Sequence, residues 1–245
     1  MELEYKTISC LEYKLYADDL RSFPLNQKVE INTINQYSYC IAEKDAEFKN
    51  ALLNSEVLLP DGVGMTWASN FLNGHKIRKI AGADIHEYLL DQINEAEGSC
   101  FYLGASESTL VKIQNKIKKQ YPKIRVGSYS PPFKPYFTKN DTTLMIQKVN
   151  NFKPNILFVG MTAPKQEIWS HANKKQLNVN VICSIGAVFD FYAGTVDRPS
   201  QFWINLKLEW FGRLIKEPKR MWKRYIYYGG VFLFKILKIK ILKRN

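Results

Sequence analysis

Residues 58–69 read LLPDGVGMTWAS. Leu58, Leu59 and Pro60 close a short apolar run. Asp61 follows, then Gly62 and Gly64, then residues with helical spacing. The stretch predicts a buried strand, a sharp turn and a helix starting near residue 63. The seam between strand and helix carries one carboxylate. Asp61 there can act as a general base, bind a ribose, or cap the helix by accepting backbone N–H groups. Gly62 and Gly64 let the chain turn and let a ligand approach the backbone.

The same pattern recurs along the chain. Apolar runs at 29–34, 56–60, 100–104, 123–128, 155–160 and 179–186 read as strands. Helical stretches lie near 40–53, 63–72, 84–96, 107–120, 140–151 and 165–176. Strands that alternate with helices, and are apolar throughout, predict an α/β fold. It is Rossmann-like, with a mostly parallel sheet covered on both faces. In such sheets ligands bind beyond the carboxyl ends of the strands. Those ends carry Thr33 and Asn35, then Asp61, then Thr162, Lys165 and Gln166, and finally Gly186 and Asp190. Gln166 donates and accepts at once, which suits sugar hydroxyls or an acetamido group; as a first-turn residue it also simply suits a helix start. Arg78 follows an exposed NGHK turn and can fork onto a carboxylate or phosphate. The proline-rich SYSPPF at 128–133 reads as a stiff extended loop with little chemistry.

Composition sets further limits. The four cysteines are far apart, form no C-x-x-C pair and have no histidine nearby in sequence. This argues for reduced thiols and against a structural zinc site. The first twenty residues contain early acids and no long apolar run, so no signal peptide is expected. No window is apolar enough to span a bilayer. The net charge is +12, and +10 of it falls in residues 213–245. A nearly neutral body therefore carries a basic tail, which seeks polyanions: phosphates, anionic lipid or nucleic acid. Strand–helix alternation stops near 195–200. The division expected is a catalytic domain over 1–198 and a helical appendage over 199–245. The tail reads as two or three helices; if 213–224 is roughly one of them, Arg213, Lys216, Arg220, Lys223 and Arg224 fall on one side. Pro218 marks a helix start after Glu217. The segment FLFKILKIKILKRN mixes apolar and basic residues and fits an interfacial membrane helix.

Several classes are disfavoured. There is no G-x-G-x-x-G, which counts against an oxidoreductase on a similar sheet. A P-loop and a G-x-S-x-G are also absent. A non-enzymatic module binding membrane or polyanion through the tail stays open, although it leaves the polar strand ends without a purpose.

Taken together, LLPDGVGMTWAS, RKIAGADI, FVGMTAPKQEIW, SIGAVFDFYAGTVDRPS and LEWFGRLIKEPKRMWKRY resemble the bacterial WecG/TagA/CpsF-type glycosyltransferases, over roughly residues 29–234. The resemblance implies an inverting transferase. It would move N-acetylmannosamine, its uronic acid or a hexose from a UDP-sugar donor to a polyprenyl-diphosphate-linked sugar acceptor. That places it on the inner face of the cytoplasmic membrane, in teichoic acid or surface polysaccharide assembly. It implies Asp61 as base, with Thr33 and Asn35 matching the family's Thr and Asn. It implies Gln166 near the acceptor sugar, and Arg213, Arg220 and Arg224 near the diphosphates. Arg78, Gly62 and Gly186 complete the expected substrate-binding set. No D-x-D motif is present, so no cofactor and no metal is expected, the tail arginines standing in for the cation. Nucleic acid is not an expected partner. A homo-oligomer is left open, since the family often forms dimers or larger assemblies.

Overall fold

The computed structural model describes residues 6–20, 27–196 and 209–242. It begins with a hairpin that the sequence did not announce. Strands β1 (Thr7–Cys10) and β2 (Tyr13–Tyr16) pair antiparallel, with Cys10 opposite Tyr13.

The six expected strands all form one sheet. They are β3 (Val29–Ile34), β4 (Val57–Pro60), β5 (Ser99–Gly104), β6 (Arg125–Tyr129), β7 (Ile156–Gly160) and β8 (Val181–Ser184). Their order is β4-β3-β8-β7-β5-β6, and every pairing is parallel. Pro60 ends the edge strand β4, where a residue without an N–H is tolerated.

Helices cover both faces. After β3 come α1 (Gln36–Ala42) and α2 (Ala46–Leu53); after β4 come α3 (Val63–Asn73) and α4 (Gly82–Glu95). Then α5 (Glu107–Gln120) leads to β6, α6 (Lys139–Phe152) to β7 and α7 (Lys165–Asn173) to β8. After β8 comes α8 (Ala187–Ala193). One core layer packs β-strand residues such as Tyr102, Phe158 and Cys183 against α4, α5 and α8. On the other face Leu157, Val159 and Ile182 meet α6 and α7. All four cysteines are buried thiols outside any disulfide.

The strand order creates a crevice. β5 leads outward through α5 to β6, while its neighbour β7 leads back through α7 to β8. The two connections diverge on opposite faces, and the gap between them opens beyond the strands' carboxyl ends. Gly104 and Gly160 face each other at that point, and Ala105 N donates to Gly160 O at 3.1 Å. Gly104 has φ +122°, and a Cβ there would collide with the Gly160 carbonyl.

The tail is several helices, one of them opening at Pro218, so the stripe that a single helix over 213–224 would give does not form. It is built of α9 (Glu209–Lys216), α10 (Pro218–Trp222), a π-helical turn (Lys223–Tyr227) and α11 (Tyr228–Leu242). Pro218 does open a helix, and it is also why the segment breaks. The residue before a proline is pushed out of the helical region, and Glu217 has φ −133° and ψ 62°. Arg213, Lys216 and Arg220 lie on α9 and α10, but their side chains are outside the described residues. The expected domain boundary at 198–199 also falls outside them.

α11 packs on the body of its own chain. Phe232 and Ile236 are buried in a third cluster with Tyr13, Leu15, Tyr39, Phe48 and Met65, drawn from the hairpin, α1, α2 and α3. Burying each of those two side chains is worth about 1.5–3 kcal/mol. Lys235 pairs with Glu43 at 3.0 Å, and Glu43 also takes Lys49 at 3.1 Å. Lys240 donates to Phe71 O at 2.7 Å. Among the described residues no helix is long and apolar enough to cross a membrane.

Candidate active site

A cleft of about 990 Å³ opens beyond the carboxyl ends of the strands. Thr33, Asn35, Asp61, Gly62, Gln166, Gly186 and Arg224 all line it. The sheet therefore gathers residues spread across most of the chain into one place.

Asp61 sits directly after β4, and its N–H donates to Ile34 O at 2.9 Å. It does not cap α3, although the cap is what its position alone suggests. The N-cap of α3 is Gly62, at φ +96°, and no side chain caps that end. The left-handed turn at Gly62 leaves the Asp61 carboxylate on the cleft wall. Gly64 brings the start of α3 close to α1, since a Cβ there would lie 2.9 Å from Gln36 Oε1.

Asn35 has a local task as well as a cleft position. It is the N-cap of α1, and its Oδ1 accepts from the backbone N–H of Tyr37 and of Ser38, each at 3.0 Å. Ser38 Oγ answers by accepting from Asn35 N at 3.0 Å. The side chain is thus fixed by a capping box. Thr33 is on β3, opposite Leu59.

Gln166 and Glu167 form the first turn of α7, and both are buried. Gln166 Oε1 accepts from Met161 N at 3.2 Å, and its Nε2 donates to Glu167 Oε1 at 2.9 Å. Burial raises the Glu167 pKa to about 7, against the hydrogen bond from Gln166 and the charge of Arg224. Glu167 Oε2 is buried with no hydrogen-bond partner among the described residues.

The tail supplies part of the wall. Trp210, Met221, Lys223, Arg224, Tyr225 and Tyr228 line the cleft. The break at Glu217 turns α10 so that Met221 is buried while Trp222 is half exposed. The Arg224 guanidinium lies 4.5 Å from the Tyr37 ring centre.

Arg78 is not in this group. It is exposed, and its neighbour Lys79 lines the cleft instead. The sequence reading also missed residues that the cleft uses. Gln36 and Tyr37 carry no motif. The loop judged to offer little chemistry contributes Ser130, Pro131, Pro132 and Phe133, because β6 lies beside β5. Lys165 sits over Phe137 at 4.7 Å and donates to Lys134 O at 2.9 Å; burial lowers its pKa.

Asp61 from the end of β4 and Lys223 and Arg224 from the tail thus line one cleft beyond the strands' carboxyl ends. The sequence profile of the Glycosyl transferase WecG/TagA/CpsF family matches residues 3–245, and the chain belongs to that family. It is 32% identical over 213 residues to the N-acetylglucosaminyldiphosphoundecaprenol N-acetyl-beta-D-mannosaminyltransferase of Bacillus subtilis (strain 168), covering 86% of this chain and 81% of that one. The enzyme of the same name from Staphylococcus aureus (strain MW2) is 25% identical over 227 residues, covering 91% and 87%.

Proposed function

We propose that the protein transfers an N-acetylmannosamine-type sugar or a hexose from a UDP-sugar to a polyprenyl-diphosphate-linked sugar, with inversion. The reaction would occur on the cytoplasmic face of the membrane, in surface polysaccharide or teichoic acid assembly. One observation carries the reading: Asp61 of the sheet and Arg224 of the tail line the same cleft. Asp61 takes the proton from the acceptor hydroxyl as its oxygen attacks the anomeric carbon. The bond from that carbon to the diphosphate oxygen breaks, and UDP leaves with the electron pair. A positioned base contributes about 10²–10⁴ in rate. Arg224 and Lys223 face the charge that develops on the leaving group, the task a cation clamp performs. Arg213 and Arg220 belong to the same reading by their place in the tail. No metal is assigned a step.

Similarity to transferases that use an N-acetylglucosaminyl-diphospho-lipid supports the acceptor class. The outer side of α11 supports the membrane surface. Phe234, Leu237 and Ile241 are exposed there, at 70%, 43% and 62%. Two lysines of that helix, Lys235 and Lys240, turn inward to Glu43 and Phe71 O. That leaves Lys238 as the exposed lysine of α11 among the described residues, beside Phe234 and Ile241.

The test is a donor screen with a lipid-diphosphate-N-acetylglucosamine analogue, with and without EDTA, following UDP release and product mass. Acceptor-dependent transfer in EDTA, lost in Asp61→Asn with donor binding kept, is the expected result. Turnover only with added Mn²⁺ would reject the arginine-for-metal part. Absence of transfer from every donor to every lipid-linked acceptor would reject the transferase reading.

A further inference from the structure

The Gln166 side chain is held from three directions. Met161 N–H binds its oxygen, Glu167 Oε1 binds its nitrogen, and Gly186 leaves it room. A Cβ on Gly186 would stand 2.6 Å from Gln166 Oε1. These contacts decide which end of the amide is which. The backbone N–H selects the oxygen and the carboxyl selects the NH₂ group. One amide N–H and one oxygen lone pair are then left over, on a residue that lines the cleft.

We propose that Glu167 is a positioning residue that fixes the polarity of the Gln166 amide, so that the cleft offers one defined donor and one defined acceptor to the bound sugar. The idea rests on the transferase reading for the identity of that sugar. An acetamido group fits such a pair, since its carbonyl takes the amide N–H and its own N–H meets the amide oxygen.

Glu167 sits behind Gln166 at the cleft lining, and its hydrogen bond to the Gln166 amide is the contact this task needs. It is 2% exposed, and its Oε2 is shut away from solvent. Burying a carboxyl oxygen with no hydrogen-bond partner among the described residues is costly, which argues that the side chain acts through its neighbour. Among the described residues the groups that act on it are Gln166 and the Glu167 backbone on its own helix, Arg224 from the π-helical turn and Glu30 from β3. Arg224 favours the carboxylate and Glu30 opposes it. With a pKa of about 7, the carboxyl passes from a neutral to a charged acceptor near neutrality. A charged acceptor holds the amide more firmly. Amide order should then rise with pH through that point.

Two measurements test the proposal. The first is a double-mutant cycle on kcat/KM for the acceptor. Glu167→Ala should cost about tenfold or more in the native background and under twofold in a Gln166→Ala background, because the lock then has nothing to hold. Glu167→Gln, which keeps shape and an acceptor oxygen, should restore most activity. Equal losses from Glu167→Ala in both backgrounds would overturn the proposal. The second needs no turnover: the side-chain amide resonance of Gln166, identified by its loss in Gln166→Ala, is followed against pH in the ligand-free protein. It should titrate near pH 7 in the native protein and not in Glu167→Gln. A resonance that does not move with pH in the native protein would overturn the positioning role, whatever the enzyme assay shows. Absence of all transfer by the native protein would instead count against the transferase reading alone.

Discussion

The Arg224 guanidinium lies 4.5 Å from the centre of the Tyr37 ring, and that ring meets Tyr228 edge-on at 5.1 Å. Tyr37 thus joins the first turn of α1 to the tail at the point where the tail enters the cleft. A cation over an aromatic face is worth about 0.5–2 kcal/mol. Tyr37→Leu should therefore lower kcat/KM by about 2- to 30-fold. Tyr37→Phe, which keeps the ring face, should remain close to the native value. Steady-state kinetics on a soluble acceptor read both.

The exposed side of α11 predicts a second separation. Phe234→Ser with Ile241→Ser should abolish sedimentation with phosphatidylglycerol vesicles and leave transfer to a soluble acceptor intact. Since Lys235 and Lys240 face the body, binding should persist in part at high salt, where purely charge-driven adsorption is screened away. Loss of soluble-acceptor activity in the same variant would show that this side of the helix does more than bind lipid.

Gly104→Ala adds a Cβ against the Gly160 carbonyl at φ +122°. Backbone strain alone costs about 1–3 kcal/mol, and the collision adds to it. A fall in melting temperature of at least about 4 °C is expected. Gly229→Ala is the control. A Cβ there meets nothing within 4 Å, so helix propensity should leave stability unchanged or raise it by up to about 1 kcal/mol.

Acid stability should depend on His86. The ring is buried, packs on Phe158 and Tyr192, and lies 2.6 Å from the Tyr102 hydroxyl. Burial lowers its pKa to about 3. The unfolded chain then binds a proton below about pH 6.5 that the folded chain refuses until about 3. Stability from this group is complete above 6.5 and declines as pH falls, by up to about 1.4 kcal/mol per unit. Glu167 runs the other way: its raised pKa makes stability decline as pH rises from about 4.5 to about 7. Between pH 7 and pH 4.5 the two oppose each other, so denaturant unfolding at both pH values is compared between the native protein and a variant that lacks the histidine. His86→Leu with Tyr102→Phe, which leaves neither partner orphaned, should remove about 2 kcal/mol of the acid-side loss.

The strands were legible because each is a short apolar run closed by Pro, Gly or a polar turn, as at Pro60, Gly104 and Gly160. Less legible was whatever depends on contacts between distant segments. α1 starts at Gln36, well before the helix expected near 40–53, and Glu43–Asp45 separate it from α2. Its capping box and its packing on Tyr228 and Phe232 support a sequence with little helical preference of its own. α8 hides in GAVFDFYAG for the same reason: seven residues are stabilised by Val188 and Phe189 in the core. In the site, Asp61, Thr33 and Gln166 could be found because strand ends are where parallel sheets bind. Glu167, Tyr37 and the 130–133 loop could not. Their places at the cleft follow from strand order and from a tail that returns across the body. Arg78 and Lys79 show the limit at single-residue scale, since adjacent cations differ only in which way the backbone turns them.

The third core cluster joins Tyr13 and Leu15 of the hairpin to Phe232 and Ile236 of α11. During synthesis α1, α2 and α3 can pack on the hairpin soon after it is made, but the places of Phe232 and Ile236 in that cluster stay empty until α11 follows β8 by about forty residues. The central sheet can form earlier, from β3 to β8. The nascent protein thus passes through a stage with a finished sheet and an open flank, the stage at which it is most open to chaperone capture or aggregation.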